Sequence, residues 1–147
     1  MDTVALVSYY HEIFDDLSRI SAKGMRIIAD AVDYGGNDGT LLIIPSVVFL
    51  EIFDNWCRVE KSEDELRAQI FSDIFIPLRD LTNVEIREID LELLHKFLEL
   101  DDMKINLENR DRIILATALI LEADLITTDS KIKDFVSHYG LNTRIIN

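Results

Sequence analysis

"NRDRIILATALILEADLITTDSKI", residues Asn109 to Ile132, decides the fold. Its first half is rich in Ala, Leu and Ile, with polar residues gathered at the start, and reads as a helix. "DLITT", Asp124 to Thr128, is then a short apolar and β-branched strand, buried on both faces. Asp129 stands where that strand stops. "SKIKDFVSHYG" reads as a further helix, with Gly140 as its C-cap. Two acids therefore sit at junctions: Asp111 in the first turn of one helix, and Asp129 at the end of the strand. Each has a plain structural reading. An acid in a first turn suits the helix dipole, and an Asp before a helix caps it.

The same alternation extends in both directions. "LLIIP", Leu41 to Pro45, is a second buried strand, ended by Pro45, with Ser46 placed to cap the next helix. That helix is "VVFLEIFDNWCRVE", with Val48, Ile52 and Trp56 on one face. "SEDELRAQIFSDIF" opens with a capping box, Ser62 and Glu65, and reads as a helix to about Phe75. "NVEIREI" is a half-exposed strand, Asp90 caps "LELLHKFLEL", and "TRIIN" is a last strand. Val4 to Ala31 reads as two helices broken near Gly24, and "YGGNDGT" as the turn-rich loop after them. Strands alternating with helices predict an α/β fold with a mostly parallel sheet. Such sheets bind ligands at the carboxyl ends of their strands.

The 147 residues predict one domain, 1–147, and the 48% hydrophobic content supports a core. No run is apolar and long enough to span a membrane. The start, "MDTVALVSYYHEIFDD", lacks the basic n-region of a signal peptide. Cys57 is the only cysteine, which excludes an internal disulfide and points to a reducing cytoplasm. Zinc has no paired ligand spacing, since His11, His95 and His138 are scattered. The net charge of −13 repels nucleic acid. A nucleic-acid enzyme with this charge needs a local basic patch, a metal or a basic partner.

Four acids fall where a parallel sheet would present a site: Asp2, Glu51, Asp111 and Asp129, separated by 49, 60 and 18 residues. Converging carboxylates repel unless something positive neutralises them. Hard oxygen donors suit Mg2+ or Mn2+. A cage of that kind activates water and stabilises charge on a phosphodiester. No Ser-His-Asp set or phosphate-cradling glycine loop offers another chemistry. Glu51 lies among Phe49, Leu50, Ile52 and Phe53, where a glutamate needs a partner. Its bland alternative is a solvated stripe with Asn55 and Arg58. Arg110 and Arg112 flank Asp111, and Lys131 and Lys133 follow Asp129. These four are candidates for phosphate contacts, or else ordinary helix-surface charges.

Taken in order, these motifs resemble the PIN-domain nucleases. "MDTVALVSYY" is similar to the family's opening Asp-Thr motif, and "PSVVFLEIFD" to its second motif. The stretch from Asn109 to Ile132 resembles its third block: an acid, a helix of Ala-Thr-Ala type, and a buried strand ending Thr-Thr-Asp. The resemblance implies a three-layer α/β/α sandwich and metal-dependent cleavage of RNA. By motif, Asp2, Glu51, Asp111 and Asp129 match the catalytic, metal-holding acids, with Mg2+ or Mn2+ as cofactor. Thr128 matches a polar neighbour of the last acid. The small members most alike are VapC-type toxins, which implies a cognate antitoxin and a homodimer. Two features depart from the family. An apolar strand usually precedes the first acid, whereas here Met1 alone precedes Asp2. The stretch between the first two acids is long, which fits an extra helix around Ser21 to Tyr34. A catalytically degenerate PIN-like module and a DNA-directed nuclease are the other expectations.

Overall fold

Helices and short parallel strands alternate along the chain, so the fold is mixed α/β. The computed structural model describes residues 1–36, 39–56, 63–100 and 105–147. The amino-terminal part holds α1 (Thr3–Tyr9), α2 (His11–Phe14) and α3 (Ala22–Val32). Next come β1 (Leu42–Pro45), α4 (Val47–Trp56) and α5 (Glu63–Gln69), which runs through a π-helical stretch (Ile70–Phe75) into α6 (Ile76–Asp80). After it come β2 (Val84–Arg87), α7 (Leu91–Glu99), α8 (Asn109–Ile120), β3 (Leu125–Ile126), α9 (Ser130–Tyr139) and β4 (Ile145–Ile146). Among the described residues, no helix is long and apolar enough to cross a membrane.

β1 pairs with β2 in parallel, Leu42 opposite Val84 and Pro45 opposite Arg87. β3 pairs with β4 in parallel, Leu125 opposite Ile145 and Ile126 opposite Ile146. The first two residues tie these pairs together. The Met1 amino group donates to Ile43 O at 2.7 Å. The Asp2 amide donates the other way, to Ile126 O at 3.1 Å. Neighbouring residues donating to opposite sides is how an extended strand behaves between two others. Asp2 has the backbone for it, with φ −87° and ψ 177°. One residue later the chain turns into α1.

The buried side chains of β1, β3 and β4 pack into one core with α4 and α8. Five consecutive residues of α8, Ile114 to Ala118, are buried, so this helix is covered all round rather than on one face. α8 packs against α4, α7 and β1. This brings the first turn of α8 near the second turn of α4.

Several expectations change in detail. The break in the amino-terminal helices falls between Phe14 and Ala22, where Asp15 takes a left-handed conformation at φ 49°. Gly24 lies inside the first turn of α3 instead. A Cβ there would sit 3.1 Å from Asn147 O, so glycine serves close approach to the chain end, not a break. The helix expected to stop near Phe75 continues to Asp80. Pro77 has no N–H, and the wide π turn just before it, with the Ile76 amide donating to Phe71 O, carries the chain past that missing donor. Pairing in β3 covers two residues, although the Thr127 amide still donates to Ile146 O at 2.9 Å. Cys57, Arg58 and the Ser62 half of the capping box lie outside the described residues.

Candidate acidic site

Each acid reaches the site from a different element. Asp2 is buried, 4% exposed, at the head of α1. Its Oδ1 accepts from the Ala5 amide at 2.8 Å, as an N-cap does. The Thr127 hydroxyl also bonds to its carboxylate. Burial pushes the Asp2 carboxyl above the usual range, and the Asp129 charge adds to that. The Thr127 bond, the Ala5 amide and the terminal ammonium oppose it. The Met1 amino group beside it is buried too, which pulls it down to about 6 against the attraction of Asp2.

Glu51 lies in the second turn of α4, half-buried. Its Oε2 accepts from the Thr3 hydroxyl at 2.6 Å, and its Oε1 faces Asn55 Nδ2 at 3.5 Å. The partner expected for a glutamate in an apolar run is therefore Thr3, with Asn55 more loosely placed. Asp129 ends the β3 segment and caps α9. Its Oδ1 accepts from the amides of Lys131 at 2.6 Å and Ile132 at 3.1 Å. Its own amide donates to Thr127 Oγ1 at 3.0 Å. Thr127, 0% exposed, thus links Asp2 to Asp129.

Asp111 is half-buried in the first turn of α8. Its carboxyl is pushed up to about 6. Burial is the largest cause, followed by the charges of Asp129, Glu108, Glu51 and Asp2. Three of those four neighbours are the other acids singled out from the sequence. The charges of Asp2, Glu51 and Asp129 thus all reach Asp111, and that of Asp129 also reaches Asp2.

Whether they suit a metal turns on the donor set. Among the described residues, no three His, Cys, Asp or Glu side chains converge closely enough to hold an ion as they stand. The chemistry of the donors nevertheless fits a hard divalent cation. Burial and repulsion raise Asp111 and Asp2, a strain that a cation relieves. Oδ1 of Asp2 and Oδ1 of Asp129 are committed to backbone amides. This leaves Oδ2 of Asp129, with the Asp111 carboxylate and one face of Glu51, as the freer donors. Few carboxylate oxygens supplemented by water is how Mg2+ is usually held.

The supporting residues sort differently. Thr128 is half-buried, and its carbonyl accepts from Lys133 Nζ at 3.4 Å. The hydroxyl that touches the acids belongs to Thr127. Arg110 Nη1 lies 3.7 Å from Asp54 on α4. Arg112 donates to Asn109 Oδ1 at 2.7 Å and stacks over Phe97 of α7, 4.2 Å from the ring centroid. Both arginines thus brace α8 against its neighbours. Lys131 is exposed at the start of α9.

Sequence reasoning missed Thr3, Thr127 and Glu108. Thr127 was findable: it lies two residues before Asp129, on the same side of an extended chain. Thr3 follows Asp2 directly in the opening motif, and Glu108 precedes α8 as its N-cap residue. In comparison with known proteins, no family model matches the chain, and no curated protein matches it.

Proposed function

We propose that this protein is a Mg2+- or Mn2+-dependent endoribonuclease of PIN type, with its helices and strands arranged as a three-layer α/β/α sandwich over residues 1–147. The observation that carries the reading is Asp111, raised to about 6 by burial and by the charges of Asp129, Glu108, Glu51 and Asp2. Carboxylates from four elements rarely share one place without a cation to hold.

In this reading Asp2, Glu51, Asp111 and Asp129 hold the metal. Bound there, the ion supplies Lewis-acid stabilisation of charge on the phosphodiester and activates water. The chain's own residues set the stage. Thr127 fixes Asp2 and Asp129 relative to each other, and Thr3 fixes Glu51. Lys131 and Lys133, beside Asp129, meet substrate phosphates, offsetting locally a surface whose net charge is −13. A cytoplasmic location, a basic antitoxin partner and a homodimer belong to the same proposal. Single-stranded DNA, whose backbone takes the same chemistry, is the control substrate. The test is Mn2+-dependent cleavage of RNA by the wild type and by Asp111→Asn. Cleavage surviving the substitution at full rate overturns the assignment.

A second reading, a degenerate PIN-like module that binds proteins, draws on the lack of three chelating side chains among the described residues. Calorimetric titration with Mn2+ separates the two, because a degenerate site gives no carboxylate-dependent heat.

A further inference from the structure

The apolar face of α7 is wider than the core it packs on. Leu93 points inward and is 1% exposed, and Leu100, just past the helix, is buried as well. Phe97, half-buried, lies under the Arg112 guanidinium of α8. Past Phe97 the apolar surface continues outward. Leu91 is 75% exposed, Leu94 42% and Leu98 65%, and Ile89, just before the helix, is 39% exposed. At about 100° per residue, the three leucines fall within roughly 60° of one another on the outer side of the helix. Single exposed leucines need no explanation. Leucines spaced three and then four residues apart form the kind of seam by which one helix receives another.

The charges around the seam say what fits it. The two cations of this stretch are engaged by the chain's own acids. Lys96 Nζ donates to Glu99 at 2.8 Å, and Arg87 donates to Asp90 at 2.6 Å. Glu88 and Glu92 stay exposed at the edge of the seam. A second copy would bring the same acids to both sides, where like charges oppose pairing. Four side chains also offer far less than the roughly 800 Å2 per partner of a standard interface. A nucleic acid or an anionic lipid surface would meet like charge. A single helix with leucines on one face and lysines or arginines beside them matches the seam in both shape and charge.

We propose that the outer face of α7 docks a basic amphipathic helix of a protein partner. The partner's leucines enter the seam of Leu91, Leu94 and Leu98, and its cations meet Glu88 and Glu92. Burial of the seam supplies affinity, and the acids at its edge select a basic partner. The chain keeps this property whether or not its acidic site holds a metal.

The test uses the full chain and a synthetic helix of two heptads, each Lys-Leu-Ala-Lys-Leu-Lys-Ala, followed by calorimetry. The expected result is saturable binding that weakens several-fold as salt is raised. The same peptide with glutamate in place of every lysine should bind at least tenfold more weakly. A double variant, Leu94→Ser with Leu98→Ser, changes no charge, and because both side chains are exposed its circular dichroism should match wild type. It should bind the basic peptide at least tenfold more weakly. Leu17→Ser, which removes a leucine 80% exposed outside α7, should leave binding unchanged. No binding to wild type, equal binding of the two peptides, or binding that survives in the double variant overturns the proposal. So does a wild-type dimer in sedimentation that the double variant converts to monomer while the peptide fails to bind, since a second copy would then be the occupant.

Discussion

The Thr3 hydroxyl donates to Glu51 Oε2 at 2.6 Å, joining the first turn of α1 to the second turn of α4 across 48 residues of sequence. This single bond fixes one carboxylate of the site relative to the neighbour of another. Thr3→Val keeps the shape and removes the donor. A lost bond to a charged group costs about 1.5 kcal/mol or more. The urea midpoint should fall accordingly, and RNA cleavage should fall with it. An unchanged midpoint would mean that Glu51 does not depend on Thr3.

Asp111 gives the apo protein an unusual pH response. Its folded pKa of about 6 lies above the ordinary carboxyl value of 3.8, so the fold favours the protonated form. In chelator, this group makes stability rise as pH falls through about 6, levelling off below about 4. The raised Asp2 acts in the same direction. Asp111→Asn should flatten the rise of Tm between about pH 7.5 and about pH 5. Added Mn2+ reverses the trend, because its ligands must be deprotonated. A wild-type profile in chelator as flat as that of Asp111→Asn would remove the electrostatic basis of the site.

Asp129 caps a helix and, in the proposed role, binds metal, and two substitutions separate these tasks. Asp129→Asn keeps an oxygen for the Lys131 and Ile132 amides, so stability should stay within a few tenths of a kcal/mol. Asp129→Ala loses the cap and should cost about 1 kcal/mol. Both should lose most metal-dependent activity. An Asn variant that retains full activity would leave Asp129 only its capping role.

Lys131 and Lys133 are the cations nearest Asp129 along α9. Removing one phosphate contact lowers the salt dependence of single-strand binding by about 0.7 in log–log slope. Lys131→Ala should show that change in filter binding to RNA, with little effect on Tm because the side chain is exposed. Arg112→Ala should do the opposite, lowering Tm through its lost stacking on Phe97. Equal salt slopes for wild type and Lys131→Ala would assign phosphate contact elsewhere.

Legibility in the sequence tracks the range of the forces involved. Local signals carried well: Asp90 and Asp129 cap helices through their own side chains, Gly140 closes α9 in a left-handed conformation, and Pro45 ends β1. The strand-end position of Asp129 and the first-turn position of Asp111 were legible too, and in the fold burial and the Asp129 charge raise the Asp111 carboxyl. Contacts between distant residues were not. Nothing local marks Thr3 as the partner of Glu51, or Asn147 as the reason that Gly24 has no side chain. Arg110 and Arg112 looked free beside Asp111, yet Asp54, Asn109 and Phe97 engage them. The place of Met1 between two strand pairs depends on both pairs at once, and no window of sequence contains it.

The central claim is that four carboxylates from four elements hold one divalent cation. Calorimetric titration of Mn2+ into wild type and Asp111→Asn tests it most directly. The account predicts saturable binding to wild type that weakens as pH falls through about 6, and that is lost in the variant. No binding to wild type, or equal binding to both proteins, would contradict it.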